Sequence, residues 1–600
     1  MAKFFPSRDA LQNGKQKPDE TESQVLSFLN ENLNDDFEIF WRPFYNGYEP
    51  DIVVIGKNLS VLLLQIKNWK LDEYEIDSAD RPNSWRRKGD KPGLVLSPLM
   101  QAKIYQDALK ECWPDLSGIT IRTAVIFPKE DSFKLFRFLN GNELPDELYQ
   151  SLLMEIKALG NQSFVDGEFF SLVKQFSEIR PAVEDADETC QKMTLALKSD
   201  PHDKKQGKPI ILSREQAVLI ASVKGKRQKI RGVAGCGKTV VLCRRAVNTR
   251  KRTQKRVLIL TFDPALKRYI RDKINEIEEN FDWRDFLIAS YEEFFRAVAN
   301  NYGLKVTDSS SISNIEFFDS VEAALPKYET VLIDEILDYP QEWIDVIAKY
   351  FINEDTEFVV FGDEKQNTSD KPLDENKEPV IRKIGGTWNK SLQTVYRYGK
   401  EISEIAMKFG EFFLGNKYQR DIVISFNLPL KMGTTAYRYF KSTVSAKLLC
   451  DEIFSLTEAK GIKDGQIVIL DSGVKKYDRL RDMDLVIRRE KKKATMTTIE
   501  SAEEYAKYKD SPKAVKGIVE LRQKRFDCKS SVLKLSTINR FKGLEADTIF
   551  LLIENTNENH ELIYTGLTRA ERNLIIFNLG KKNYDKFFQQ MIEDGKLQEL

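Results

Sequence analysis

The sequence of 600 residues contains only two histidines, His202 and His560. Histidine-ligated metal centres and histidine general-base chemistry are therefore not expected along it. Cysteine is also sparse: Cys112, Cys190, Cys236, Cys243, Cys450 and Cys528 stand apart, with no Cys-x-x-Cys pair. That scatter argues against a disulfide framework and against a zinc knuckle. An excess of charge of one sign is lacking, since 93 Lys and Arg face 92 Asp and Glu and leave a formal net charge of +1. A polyanionic partner would have to be held by local basic grooves and not by an overall field. Long hydrophobic runs are missing too. The apolar runs, such as 61–64 and 331–333, are strand-length, so no membrane span is expected. Residues 1–20 are polar and lack the apolar core of a secretory signal, and a reducing cytoplasm is the expected setting.

What is present is an ordinary globular composition, 41% hydrophobic and 31% charged. The length suffices for several domains with more than one core. Residues 1–20 read as a disordered polar lead-in and 21–180 as a first α/β domain. Within it 23–33 has helical apolar spacing, and 51–55 and 61–67 are short strands joined by a hairpin-like turn at 56–60. A further strand is expected at 119–127. Residues 181–209, charged and punctuated by Pro181, Pro201, Gly207 and Pro209, read as a linker. From 210 a second pattern begins. A helix at 214–223, a strand at 228–231 and a helix from Lys238 precede strands at 257–261, 330–333 and 357–361, with helices between. This alternation predicts a parallel sheet over 210–392 and another α/β lobe over 393–600, with a small insertion around 440–530. The charged stretch 484–530 reads as helical surface, and the basic runs Arg244-Arg245 and 250–256 as helix surface.

Gly232-Val-Ala-Gly235-Cys-Gly237-Lys238-Thr239 fits GxxxxGK[ST] in full. Glycines let the backbone wrap closely, so that its N–H groups point at a phosphate. The helix beginning at Lys238 adds the positive end of its dipole. Lys238 would reach the β- and γ-phosphates of ATP, and Thr239 would offer its hydroxyl to Mg²⁺. Downstream, the apolar strand 331–333 ends in Asp334-Glu335. Asp334 would hold Mg²⁺, and Glu335 would polarise the attacking water.

With these two motifs in order, 210–600 resembles superfamily 1 helicases of the UvrD/Rep type. Leu212-Ser-Arg-Glu-Gln216 resembles the Q motif, in which Gln216 would read adenine. Leu260-Thr261-Phe262-Asp263 resembles motif Ia, which touches the nucleic-acid backbone. Gly362-Asp363-Glu-Lys-Gln366 resembles motif III, with Gln366 as the γ-phosphate sensor. Val395-Tyr396-Arg397 resembles motif IV, Ser536-Thr537 through Lys542-Gly543-Leu544-Glu545 motif V, and Tyr564 to Thr568-Arg569-Ala570 motif VI. The resemblance implies two RecA-like lobes with ATP between them. Lys238 would come from the first, and Arg397 and Arg569, as arginine fingers, from the second. It also implies Glu545 at the nucleotide, and Thr261, Phe262, Thr537 and Lys542 at the nucleic acid. Two departures stand out. Asn367-Thr-Ser-Asp-Lys-Pro lacks the aromatics that the family places there to stack on bases. About 140 residues separate motif IV from motif V, too few for a large accessory domain, so ATP-driven translocation is expected more than strong unwinding.

In the first domain, Pro50-Asp51 and Gln65-Ile66-Lys67 resemble the PD-(D/E)xK nuclease signature, with Glu22 on the preceding helix. The segment resembles a nuclease-related (NERD) domain of restriction-endonuclease-like α/β fold. Residues two apart on a strand share a face, so Gln65 and Lys67 point together. The resemblance implies Asp51, Glu22 and Gln65 around Mg²⁺ or Mn²⁺, with Lys67 orienting water or stabilising charge. Gln101-Ala-Lys-Ile-Tyr105 resembles the QxxxY helix of RecB-like nucleases, a nucleic-acid contact. Trp69 and Trp85, beside Arg86-Arg87-Lys88, are further nucleic-acid candidates. Gln65 departs from the usual Glu, and a neutral amide binds a divalent ion more weakly. Two functions therefore remain open. One is an ATP-dependent DNA translocase fused to a metal-dependent nuclease, as in bacterial proteins that act against phage. The other is a DNA-stimulated ATPase switch whose first domain binds without cutting and recruits partners. DNA is the expected partner, an RNA track a third possibility, and a homo-oligomer or a partner defence protein is open.

Overall fold

Phe37–Trp41, Ile52–Gly56 and Ser60–Ile66 pair as an antiparallel meander, in the register Trp41↔Ile52 and Ile52↔Leu64. Thr120–Ile126 and Ile156–Leu159 extend it in parallel on one side. The strands are apolar at nearly every position because both faces are covered. Ile52, Val54, Leu62 and Leu64 face Val25 and Leu29 of helix Glu20–Asn32 and Phe169, Leu172 and Phe176 of helix Glu168–Ser177. Val53, Ile55, Val61 and Leu63 face Tyr105 and Leu109 of helix Pro98–Glu111.

The computed structural model describes all residues except 1, 8–10, 12–16, 78–82, 89–92, 112–118, 142–146, 165–166, 180–189, 191–192, 195–196, 198–200, 210, 420–432, 442–443, 474–476 and 556–557. The chain divides into two units. The first holds Met1–Pro201, Asp282–Leu287 and Glu292–Ala324, and the second His202–Phe281, Ile288–Tyr291 and Leu325–Leu600. Residues 282–287 and 292–324 thus cluster with the first unit, although in sequence they lie between the motifs of the first lobe.

Several sequence expectations are corrected in the first unit. Part of the lead-in is ordered: Lys3–Phe5 pairs in parallel with Phe37–Trp41, and Phe5 stacks on Phe40 with ring centroids 5.1 Å apart. Two phenylalanines in three residues give that edge an apolar anchor that polar neighbours conceal. Most of the expected linker lies outside the described residues, but Cys190, Met193 and Leu197 are buried in the core beneath Phe40. Their spacing of three and four is a helical stripe set among charges. Trp85 is fully buried, stacked on Phe127 and edge-on to Phe138, so it is core and not a nucleic-acid contact. Trp69 lies against it, stacked on Tyr74 at 4.5 Å.

The second unit carries two sheets, in the α/β class expected. In the first, five strands run in the order Val257–Thr261, Thr330–Ile333, Glu357–Gly362, Arg227–Gly232 and Trp388–Leu392. The pairs from Val257–Thr261 onward are parallel. The second sheet has seven strands, all parallel, with Ala546–Glu554 and Ala570–Leu579 at its centre. Within the charged stretch expected to be helical, Thr495–Thr497 is instead an edge strand of this sheet. Its β-branched residues suit a pleated surface, and helices Asp478–Arg489 and Ala502–Tyr508 flank it. Arg245, expected on a helix surface, is 2% exposed. Its Nε donates to Glu357 at 2.7 Å, and its guanidinium also reaches the Leu219 carbonyl.

Candidate functional site

In the second unit, strand Arg227–Gly232 runs into the glycine-rich loop and helix Lys238–Thr253. Gly235 and Gly237 sit at φ +76° and +84°. A Cβ at Gly237 would lie 2.7 Å from Gln216 Nε2, and one at Gly235 3.0 Å from Arg397 Cβ, so only glycine fits there. Lys238 Nζ donates to the carbonyls of Gly232 (2.8 Å) and Val233 (3.3 Å) and lies 3.8 Å from Asp363. Burial disfavours its ammonium, but Cys236, Asp363 and Glu335 hold its pKa above the ordinary lysine value.

Thr239 Oγ1 donates to Asp334 Oδ2 at 3.0 Å. Burial, followed by the neighbouring Glu335, pushes the Asp334 carboxyl up. A hydroxyl and a carboxylate converging in this way fit a hard cation such as Mg²⁺. Glu335 sits at φ +50° and is 6% exposed, and its Oε2 has no hydrogen-bond partner among the described residues. A buried acceptor left open is costly unless the site uses it.

The same cleft receives Arg397, which follows the last strand of the first sheet, and Arg569, between helix His560–Leu567 and strand Ala570–Leu579. A cavity of about 300 Å³ is lined by Gly235, Gly237, Lys238, Thr239, Glu335, Gln366, Arg397, Glu545 and Arg569, among others. Arg397 Nε donates to Glu545 Oε2 at 2.7 Å, and Tyr269 Oη to Glu545 Oε1 at 2.7 Å. Burial opposes ionisation of Glu545, but Arg397 and Lys273 overcome it and hold its carboxyl at about 2. Arg569 Nη2 donates to Gln366 Oε1 at 2.9 Å, while Gln366 Nε2 donates to Asp363 Oδ2 at 2.7 Å. Gln366 therefore joins the strand end of one sheet to an arginine of the other. Burial, then the like charge of Arg397, lowers Arg569 to about 10.

Other residues singled out in the sequence are placed differently. Gln216 is buried outside the cavity lining. Its Nε2 donates to the Cys236 carbonyl at 3.0 Å, and its Oε1 accepts the Ser213 N–H in a capping box. Gly232 sits under Cys236 and Leu392. Thr261 and Thr537 are buried, the former donating to the Asp263 carbonyl. Lys542 donates to Asp338 at 2.8 Å and to the Gln366 carbonyl at 2.6 Å, so its ammonium ties motif V to motif III. Of this group Phe262 alone is exposed, at 41%. It stacks on Trp343, which stacks on Tyr291. Tyr396, Tyr269 and Lys273 line the cavity but were assigned no role from sequence. The spacing of four between Tyr269 and Lys273 on helix Ala265–Asn275 was the available signal.

In the first unit, Asp51 and Gln65 flank the pair Ile52↔Leu64 at the same end of the central hairpin. Asp51 Oδ2 accepts the Ile66 N–H at 2.6 Å. Burial pushes the Asp51 carboxyl up to about 6 against the pull of Lys67 and the Ile66 N–H, and Glu22 raises it further. Burial lowers the Lys67 ammonium, against Asp51, and its Nζ lies 5.7 Å over the Trp69 ring. Gln65 is 4% exposed and its Oε1 has no hydrogen-bond partner among the described residues. An orphaned amide oxygen at the same hairpin end as a carboxylate fits one divalent cation, Mg²⁺ or Mn²⁺. Glu22 is not free in the same way. Its Oε1 accepts from Arg42 Nε (3.1 Å) and Nη2 (2.9 Å), and its Oε2 accepts the Asp19 N–H at 2.9 Å. Among the described residues no group of three or more His, Cys, Asp and Glu gathers as a cage. Gln101 and Tyr105 are buried. Gln101 Nε2 donates to the Asn300 carbonyl and Tyr105 Oη to Asn301 Oδ1 at 3.3 Å, while Asn301 Nδ2 donates to the Gly47 carbonyl. Among the described residues no helix is long and apolar enough to cross a membrane.

Comparison with protein families finds the nuclease-related domain over residues 17–128. It finds the UvrD-like helicase C-terminal domain over 533–577 and the viral superfamily 1 RNA helicase core domain over 294–472. No curated protein matches the chain. The nuclease-related match encloses Glu22, Asp51, Gln65, Lys67, Gln101 and Tyr105, and the C-terminal match encloses motif V and Arg569. The chain therefore joins a nuclease-related domain to superfamily 1 helicase domains, with a C-terminal segment that is UvrD-like.

Proposed function

We propose that this protein is an ATP-driven DNA translocase joined to a metal-dependent DNA nuclease. The observation that carries the motor is the single cleft in which Lys238, Thr239 and Glu335 meet Arg397 and Arg569. Lys238 and the loop N–H groups would take the β- and γ-phosphates. Glu335 would accept the proton of the attacking water on its open Oε2. The two guanidinium groups would hold the charge that develops on the γ-phosphoryl group. Mg²⁺ at Thr239 and Asp334 would neutralise phosphate charge. Gln366 would report the state of that phosphate through Arg569 and Asp363, with Lys542 holding its carbonyl. Glu545, fixed by Tyr269 and Arg397, would address the nucleoside. Phe262, exposed on its aromatic support, would stack on a base and make up in part for the aromatics missing after Gln366.

The nuclease reading rests on the orphaned Gln65 oxygen at the same hairpin end as Asp51 and next to Lys67. A divalent ion there would supply an activated water. Asp51 and Gln65 would hold it, and Lys67 would stabilise the pentavalent phosphate. A role in bacterial defence against phage DNA follows from the resemblance of the domain pairing alone. Two assays test the whole. ATP turnover should rise with single-stranded DNA more than with RNA and vanish in Lys238→Ala. Plasmid cleavage with Mg²⁺ or Mn²⁺ should vanish in Asp51→Ala and Lys67→Ala. Equal cleavage by all three proteins, or none by any, leaves the second reading, a DNA-stimulated ATPase with a binding domain.

A further inference from the structure

The Glu22–Arg42 pair lies within electrostatic reach of Asp51, and the nuclease signature does not include the arginine. Arg42 follows strand Phe37–Trp41 at φ +45°, a conformation that non-glycine residues adopt at a cost. Its backbone N–H donates to the Asp51 carbonyl at 2.8 Å, which sets it at the same strand end. Two of its donors, Nε and Nη2, converge on one oxygen of Glu22. The two side chains differ in exposure. Glu22 is 3% exposed and Arg42 48%, with its guanidinium 5.2 Å from the Trp41 ring centroid. A guanidinium offers two edges. One, through Nε and Nη2, is fixed to the buried carboxylate, and the other carries Nη1 on a side chain 48% exposed.

Glu22 for its part has both oxygens engaged, one by Arg42 and one by the Asp19 N–H. The helix start that it caps is also tied to the strand end, since Asn68 Nδ2 donates to Asp19 Oδ2 at 3.3 Å. A carboxylate held in this way is arranged to orient an arginine. Among the described residues Gln65 Oε1 has no hydrogen-bond partner. One end of the site is therefore set out for a cation and the other for an anion.

We propose that Arg42, oriented by Glu22, is the phosphate-binding residue of this site, taking a phosphodiester of nucleic acid, and that Glu22 acts through Arg42 and does not ligate the metal. The proposal rests on the nuclease reading above. Arg42 grips the non-bridging oxygens of the phosphodiester that faces Asp51 and Lys67, and Glu22 is a positioning residue.

The test uses the full chain with Lys238→Ala as background, so that the P-loop does not compete for phosphate. Two equilibria are measured, Mn²⁺ binding by electron paramagnetic resonance and binding of the dinucleotide pTpT by calorimetry. Arg42→Ala should weaken pTpT about tenfold or more and leave Mn²⁺ affinity within about twofold. Arg42→Lys, which keeps the charge and loses the fork, should give an intermediate loss. Glu22→Gln should follow Arg42→Ala in direction. The double variant should be no weaker than Arg42→Ala alone, because the two act as a unit. Asp51→Ala should lose Mn²⁺. The proposal is overturned if Glu22→Gln costs Mn²⁺ affinity while pTpT binding holds, or if Arg42→Ala leaves pTpT binding intact. Absence of Mn²⁺ binding in the unvaried site would refute the metal reading instead, and the pTpT series would still decide the role of Arg42.

Discussion

Replacing Glu335 by glutamine separates chemistry from binding at the nucleotide site. The amide has nearly the same shape, so the packing of a side chain 6% exposed is preserved. Lost is the basic oxygen, the Oε2 that has no hydrogen-bond partner among the described residues. Positioned general bases contribute about 10²–10⁴-fold to rate. At about 1.4 kcal/mol per factor of ten, this is about 3–5 kcal/mol of barrier. On the proposed reading phosphate contacts would rest on Lys238 and the loop N–H groups, and the cation contacts on Thr239 and Asp334, whose mutual hydrogen bond does not involve the side chain of residue 335. ATP affinity should therefore change by less than about threefold while kcat falls about 100-fold or more. Steady-state hydrolysis with saturating single-stranded DNA gives kcat, and equilibrium binding of a fluorescent ATP analogue gives the affinity. A kcat within tenfold of the parent, or a loss carried wholly by KM, would refute the assignment.

Other outcomes follow from the same structure. Arg245→Ala leaves the buried Glu357 carboxylate with Arg252, Ser222 and Thr249 among the described residues, and should cost about 3 kcal/mol. Differential scanning calorimetry should show the transition of this unit lowered by several degrees, whereas Lys224→Ala, whose partner Asp355 is exposed, should not shift it measurably. Phe262→Ala should weaken single-stranded DNA binding by about 1–3 kcal/mol, read by fluorescence anisotropy at fixed salt. Trp85→Ala should destabilise the first unit by about 3–5 kcal/mol through the cavity it leaves, and chemical denaturation followed by residual tryptophan fluorescence would record it. A Trp85→Ala protein of unchanged stability with reduced DNA affinity would restore Trp85 as a nucleic-acid contact.

The two halves of the chain were not equally legible in the sequence. Gly232 to Thr239 and Asp334-Glu335 are contiguous, and their chemistry depends on neighbours within a few residues, so spacing alone revealed them. Glu22 is a contrary case. Asp19-x-x-Glu22 is a helix-capping box as much as the acidic member of a nuclease signature, and the partner that decides its behaviour, Arg42, lies 20 residues away. Trp85 and its basic neighbours matched a nucleic-acid contact in composition, but burial depends on Phe127 and Phe138, which sequence proximity does not supply. Cys190, Met193 and Leu197 were concealed by the charge around them, because composition averages over a face that periodicity would have separated.

The sequence by itself determined the glycine-rich loop, the acidic strand end, the alternation of strands and helices that gives parallel sheets, and the hairpin bearing Asp51, Gln65 and Lys67. Each depends on local spacing, and backbone geometry converts local spacing into a shared face or a shared loop. Only the tertiary structure decided that Arg397 and Arg569 reach the cavity of Lys238, that Tyr269 and Arg397 clasp Glu545, that Gln65 keeps an open oxygen, and that Glu22 is bound to Arg42. These are meetings of residues 20 to more than 300 positions apart, and burial fixes their charge and their partners.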